Sequence, residues 1–318
     1  MRGAVVAALA LAGALAGQAA AASWPDRPVH FIVPYPPGGN ADVIGRIVAN
    51  GLQQKLGQSF IVDNRSGGAG VIGGIAAAHA APDGYTFLYS ANGPILFAPE
   101  LVTPPPYLWN RDFETVAVVT VTPLVLLVGK NSAMKSLDDL FARSRGGGVI
   151  FASGGMASSN HLLGVYMQEQ LQFAWTTVHY RGTAPAMNDL IGGQADLAID
   201  QVSSATPFIA AGTVRPLAVT SDHRWPALPE VPTMAELGHP DMMASTFTAL
   251  MAPAGTPKEI VAKMNAAVSE VAGDDGVRRR IEGIGAEVLI MSAERSAEFM
   301  ARESSVWIPV VREIAAHQ

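Results

Sequence analysis

The chain has 318 residues, 49% of them hydrophobic and 15% charged, with a formal net charge of −6 and no cysteine. That balance excludes a disordered chain and a disulfide-stapled fold, and the scarcity of clustered Lys and Arg argues against a nucleic-acid partner. The one basic run, Arg278 to Arg280, reads as a solvated helix face, and the length favours two units of roughly 100 to 200 residues each.

Arg2 precedes an apolar stretch over residues 4–16, and Ala20, Ala21 and Ala22 place small residues just before Ser23 and Trp24. This is the pattern of an export signal over residues 1–22, cleaved near Ala22. The apolar run falls short of the roughly 20 residues that span a bilayer, and without Cys there is no lipid-anchored cleavage site. The expected product is free in the periplasm and monomeric.

VHFIV at 29–33 reads as a buried strand stopped by PYPPGG. Val43, Ile44, Ile47, Val48, Leu52 and Leu56 then repeat at helical spacing, with Gly57 where a C-terminal cap belongs. The cycle repeats with FIVDN at 60–64, a Gly-rich helix start at 67–79 and YTFLYS at 85–90, which predicts a parallel sheet. The middle of the chain keeps this alternation. VAVVTVTPLVLLVG at 116–129, the capped helix SLDDLFARS and VIFAS at 149–153 come first. A helix capped by Ser158 or Ser159 follows, with Leu162, Leu163, Tyr166, Met167 and Leu171 on one face, and then TTVHYRG, LAID and PLAVTS. Residues 222–246 are Pro-rich and aperiodic, the mark of a long return connection. The remainder is amphipathic helix, with Pro257 near a helix start. The predicted fold class is α/β, with mostly parallel sheets flanked by helices.

GAGVIG at 68–73 matches the Gly-x-Gly-x-x-Gly pattern of dinucleotide-binding turns. Its context is wrong: the next strand ends in Ser90, Ala91 and Asn92 with no acidic residue for a ribose, and Asp83 precedes that strand. A tight loop with close packing explains the glycines, and no cofactor is expected. No Gly-x-Ser-x-Gly elbow occurs, since FASGGMASSNH has Ala152 where the first Gly belongs. With no Cys and no paired His and carboxylate spacing, no metal site is expected either.

What remains is a set of Gly, Ser and Asn-rich turns, namely PYPPGGNAD, YSANGP, ASGGMASSNH and IDQVSSA, each at the C-terminal end of a predicted strand. In open α/β sheets ligands bind at that edge, where helix N-termini offer unpaired N–H groups and partial positive charge to an anion. Because such turns occur in both halves of the chain, the pattern predicts two lobes that close on one small anion without an Arg clamp.

These same segments, with WPDRPVHFIVPYPPGGNADVIGR, VDNRSGGAGVIGG, HYRGTAPAMNDLIGGQADLAID, GTVRPLAVTSDHRWPALPEVPTMAELG and LMAPAGTPKEIVAKMNAAV, resemble the Bug, or TctC-type, receptors of tripartite tricarboxylate transporters over the whole mature chain. The resemblance implies the two-lobed type II periplasmic-binding-protein fold. It also implies a carboxylate held in the cleft and delivery to membrane permease subunits, with no catalysis. Carried over by position, the implied ligand-binding residues are Tyr35, Pro37, Gly38, Gly39, Asn40 and Asp42 in the first loop, and Ser90 and Asn92 in the second. The far lobe contributes Ser153, Gly154, Ser158, Asn160 and His161, then Tyr180, Arg181 and Gly182, then Asp200, Gln201 and Ser203. Gln201 stands where the family commonly has Asn, Met156 where it has a small or polar residue, and Pro36–Pro37 where it has an Ala-containing pair. The expected division is residues 24–124 plus 247–318 as one lobe and 125–246 as the other. A ligand sensor for a signalling partner, or an exported hydrolase using His161 and a nearby Ser, are the alternatives.

Overall fold

A computed structural model of the chain describes residues 24–316; the export signal expected over 1–22 lies outside the described residues. Strands β1 (Val29–Val33), β2 (Phe60–Asn64) and β3 (Thr86–Ala91) pair in parallel around β1. Their connection through helix α1 (Asn40–Leu56) follows from the apolar stripe of Ile44, Ile47, Val48 and Leu52, all buried against Phe31 and Phe87 of the sheet. Gly57 ends α1 at φ 71°, returning its N–H to the Gln53 carbonyl. The GAGVIG turn leads into α2 (Val71–Ala78), and packing explains it. Gly70 sits at φ +90°, and a Cβ there would lie 2.4 Å from the Pro94 ring.

A second sheet repeats the arrangement. Strands β5 (Val149–Ser153), β6 (Trp175–His179) and β7 (Leu197–Gln201) pair in parallel around β5. Helices α3 (Leu137–Arg145), α4 (Ser159–Leu171), α5 (Thr183–Ile191) and α6 (Val202–Ala210) alternate with them. Ser136 and Asp139 form a capping box at α3, as the SLDD sequence predicts.

The two sheets are joined by β4 (Phe113–Gly129). Residues 113–123 of β4 run antiparallel to β9 (Ser245–Pro253), which also pairs with β3; residues 124–129 run antiparallel to β7 and to β8 (Val214–Val219). The change of partner comes between Pro123, opposite Ser245, and Leu124, opposite Gln201. Proline has no N–H to donate to a ladder, so it suits the point where one ladder stops. Parallel pairing therefore occupies the flanks, with antiparallel pairing around β4 and β9. Helices α7 (Lys258–Gly273), α8 (Asp275–Gly283) and α9 (Ala293–Ala316) complete the chain, with the two-residue strand β10 (Glu287–Val288) against β4. Arg278, Arg279 and Arg280 are exposed on α8, as a solvated face requires.

Residues 222–246 do more than connect. Trp225, Leu228, Val231 and Met234 are buried, and the Trp225 indole N–H donates to the Gly285 carbonyl at 3.0 Å. Thr220 pins the two crossing segments together. Its Oγ1 accepts the Leu124 N–H at 2.9 Å and donates to the Ala244 carbonyl at 2.6 Å, all in buried surroundings. Thr220→Val keeps the shape and strands both backbone groups, so we expect a loss of about 2 kcal/mol in urea denaturation. A change within about 0.5 kcal/mol would show that the pin contributes nothing.

Candidate functional site

The strand-end turns of both sheets converge on a cavity of about 550 Å³ between them. From the first sheet come Tyr35, Pro37, Gly38, Gly39 and Asn40, after β1, and Asn92, after β3. From the second come Gly154, Ser158 and Asn160 after β5, Arg181 and Gly182 after β6, and Gln201 and Ser203 after β7. These are the predicted residues that the fold brings together.

Helix starts dominate the wall. α1, α5 and α6 begin after Gly39, Gly182 and Gln201, and none of these cap positions supplies a side-chain hydrogen bond to the helix. Their first-turn N–H groups therefore lack side-chain acceptors and carry the positive end of each helix dipole. α4 differs, because Ser158 Oγ accepts the His161 N–H at 3.2 Å. Arg181 is the one charged residue lining the cavity, and it is exposed. Asn40, Asn160 and Ser203 each line the cavity with buried side-chain polar atoms that have no partner within the protein. Such atoms are costly unless a ligand or water satisfies them.

The floor is closed by side chains from both sheets. Asn92 donates to the Ser245 carbonyl at 3.1 Å and accepts from Ser159 Oγ at 2.9 Å; Thr246 Oγ1 donates to Ser159 Oγ at 3.1 Å. Asn92 is thus engaged through both ends of its amide, and its role is to join the two halves beneath the cavity.

Other predicted residues stand behind the wall. Asp42 is buried and accepts from the Gly38 N–H at 2.9 Å, from Asn64 at 2.9 Å and from Arg46, which fixes the first loop. Burial alone would raise its pKa, but the Arg46, Gly38 and Asn64 bonds together hold it below the usual carboxylate range. Ser90 and Ser153 are fully buried and bond to the Ala91 and Gly155 carbonyls. The Tyr180 hydroxyl donates to Asp189 at 2.6 Å. His161 is buried with its ring 4.6 Å from that of His179, and its Nδ1 faces the Ala157 N–H at 3.4 Å. Burial, reinforced by His179, pushes the His161 pKa down to about 4. Asp200, near the end of β7, is buried beneath the turns of the second sheet, and burial raises its pKa to about 6 against the lowering effect of Ser204, Gln201, Thr183 and Asn160.

The lining also includes Thr183, Ala184, Pro185, Pro207, Phe208 and Thr246, which the strand-end reading did not single out. Thr183 is the first residue of α5, and a helix start after Gly182 was the available signal. Pro207 and Phe208 lie further along α6, and Thr246 on the distant strand β9, where no local pattern points to the cavity. Among the described residues no cluster of His, Asp and Glu could hold a metal ion.

Comparison with known proteins gives the same architecture. The description "Tripartite tricarboxylate transporter family receptor" matches residues 44–316. Protein BugT of Bordetella pertussis is 38% identical over 311 residues, covering 97% of this chain and 95% of BugT. Among solved structures, MatC of Rhodopseudomonas palustris with bound malate superposes with a TM-score of 0.83 at 33% identity, covering 91% of this chain and 100% of MatC. An R. palustris protein with adipate gives 0.86 at 33% identity, covering 92% and 98%, and the periplasmic binding protein BugD gives 0.81 at 33%, covering 92% and 97%. The matched family is one of receptors, not of enzymes, and the chain belongs to it: the tripartite tricarboxylate transporter receptor family, the Bug or TctC type.

Proposed function

We propose that the protein captures a small organic carboxylate in the cavity between its sheets and delivers it from the periplasm to the permease subunits of a tripartite transporter. The observation that carries this reading is the set of helix starts at Gly39, Gly182 and Gln201, each without a side-chain cap and each lining one cavity. A carboxylate supplies the acceptors these N–H groups lack, and the dipoles of three helices add to its binding. The relatives solved with malate and adipate support the ligand class.

The mechanism is closure without chemistry. Residues 24–124 with 247–318 form one lobe and 125–246 the other, the hinge lying where β4 changes partner and where Ala244 leads into β9. The ligand lands on one lobe's turns, the second lobe's donors complete its shell, and the closed form docks as a monomer on the permease. The sequestered His161 gives the hydrolase alternative no support. Protein purified without denaturation from the periplasm of an expressing bacterium should retain a small carboxylate in native mass spectrometry, one per chain and chemically unchanged. Recovery of a ligand without an acidic group, or of a cleaved product, would overturn the reading.

A further inference from the structure

The carboxylate of Asp200 lies immediately behind the cavity wall and accepts hydrogen bonds from three residues that line it. Asn160 Nδ2 donates to Oδ1 at 3.2 Å, Thr183 Oγ1 donates to Oδ1 at 3.1 Å, and Ser204 Oγ donates to Oδ2 at 2.7 Å. This buried acid determines which way its neighbours face. The Asn160 amide must turn its NH₂ toward the carboxylate, because the opposite orientation sets oxygen against oxygen. The two hydroxyls likewise direct their single protons at Asp200. Asn160 Oδ1, in a side chain only 2% exposed, is left without a partner. What these three side chains have left to offer is therefore acceptors, with the Asp200 carboxylate behind them. The helix starts offer donors: α5 and α6 begin beside this corner, after Gly182 and Gln201, and α1 begins across the cavity, after Gly39.

We propose that this corner receives a hydrogen-bond donor carried by the ligand beside its carboxylate, so that the protein selects hydroxy or amino acids over their unsubstituted counterparts. The proposal rests on the carboxylate reading above and sharpens it. A carboxylate oxygen set against Asn160 Oδ1 would meet an acceptor backed by the charge of Asp200, so the ligand's carboxylate belongs on the N–H groups of the helix starts and Asn160 Oδ1 calls for a donor. A hydroxyl or ammonium group would satisfy Asn160 Oδ1. Gly154 leaves the space for it: a Cβ at that position would come to 3.3 Å from Thr183 Oγ1 and 3.6 Å from Asn160 Nδ2.

Isothermal titration at neutral pH with malate and aspartate against succinate, and with lactate and alanine against propionate, tests this on the full mature chain. The wild-type protein is expected to bind a donor-bearing member at least about 10-fold more tightly than its unsubstituted partner, the effect of one hydrogen bond at a buried site. Asn160→Ala should reduce that preference to within about 3-fold, and Thr183→Val, which keeps the volume, should reduce it in part; thermal melts confirm that both variants are folded. Equal or tighter binding of succinate or propionate to wild type, or a preference that survives Asn160→Ala, would overturn the proposal while leaving the carboxylate reading intact. Binding of none of the six acids would also overturn it, and the mass of the retained ligand would then show whether the carboxylate reading falls as well.

Discussion

Acidification from pH 6.5 to pH 4 is expected to cost the wild-type protein about 3 kcal/mol of stability relative to His161→Asn. The cause is the buried imidazole. His161 has its pKa lowered from 6.5 to about 4 by burial and by His179, so between those values the unfolded chain binds a proton that the folded chain refuses. Stability then rises with pH across the window and is lost as pH falls, at about 1.4 kcal/mol per pH unit. Asp200 acts in the opposite sense. Its pKa is raised from 3.8 to about 6, so the folded chain binds the extra proton in that range and gains stability on acidification. The two effects overlap in wild type, and the difference between wild type and His161→Asn isolates the first. Asn can still accept from the Ala157 N–H that His161 Nδ1 now faces. Urea denaturation at pH 4, 5 and 6.5 should show the gap widening toward acid; a constant gap would mean that His161 titrates normally.

Gly39→Val should reduce ligand affinity at least 100-fold, roughly the loss of two hydrogen bonds to a charged group. Gly39 has φ −76° and ψ 166°, a backbone any residue adopts, and a Cβ there meets nothing closer than the Pro36 carbonyl at 3.9 Å. It is Gly38, at φ 89°, whose conformation favours glycine. The fold should therefore accept the substitution, and far-UV circular dichroism should match wild type. The branched valine side chain would stand at the entrance to the α1 N-terminus, where only hydrogen now leaves room for a ligand. Unchanged affinity in the folded variant would remove α1 from the binding site.

Much of this arrangement is legible in the sequence because its signals are local. VHFIV, FIVDN and VIFAS are short apolar runs bounded by turn residues, and each forms a strand within a parallel ladder. Gly57 and Ser136 mark helix ends through capping chemistry that needs no tertiary context. The insertion of β9 between β3 and β4 is not legible, because pairing across so many intervening residues leaves no short-range pattern. The site follows the same division. Turn composition locates the cavity-forming loops, but successive strand residues point to opposite faces, and spacing alone does not say which face meets the ligand. Thus Gln201 lines the cavity while Asp200 is buried behind it, and Gly154 lines it while Ser153 does not. Asp200 shapes the site through Asn160, Thr183 and Ser204, a relation that only the packed structure brings together.

The central claim is that backbone donors at helix starts, and not a guanidinium, hold the anion. Arg181 is the residue that distinguishes the two, since it lines the cavity, is exposed and makes no hydrogen bond or ion pair among the described residues. Isothermal titration of Arg181→Ala with the acid recovered from wild-type protein is the most direct measurement. An exposed charge in water contributes at most about 1 kcal/mol, so affinity should fall less than about 10-fold. Loss of all measurable binding in Arg181→Ala would contradict the account and make the arginine the anion's principal partner.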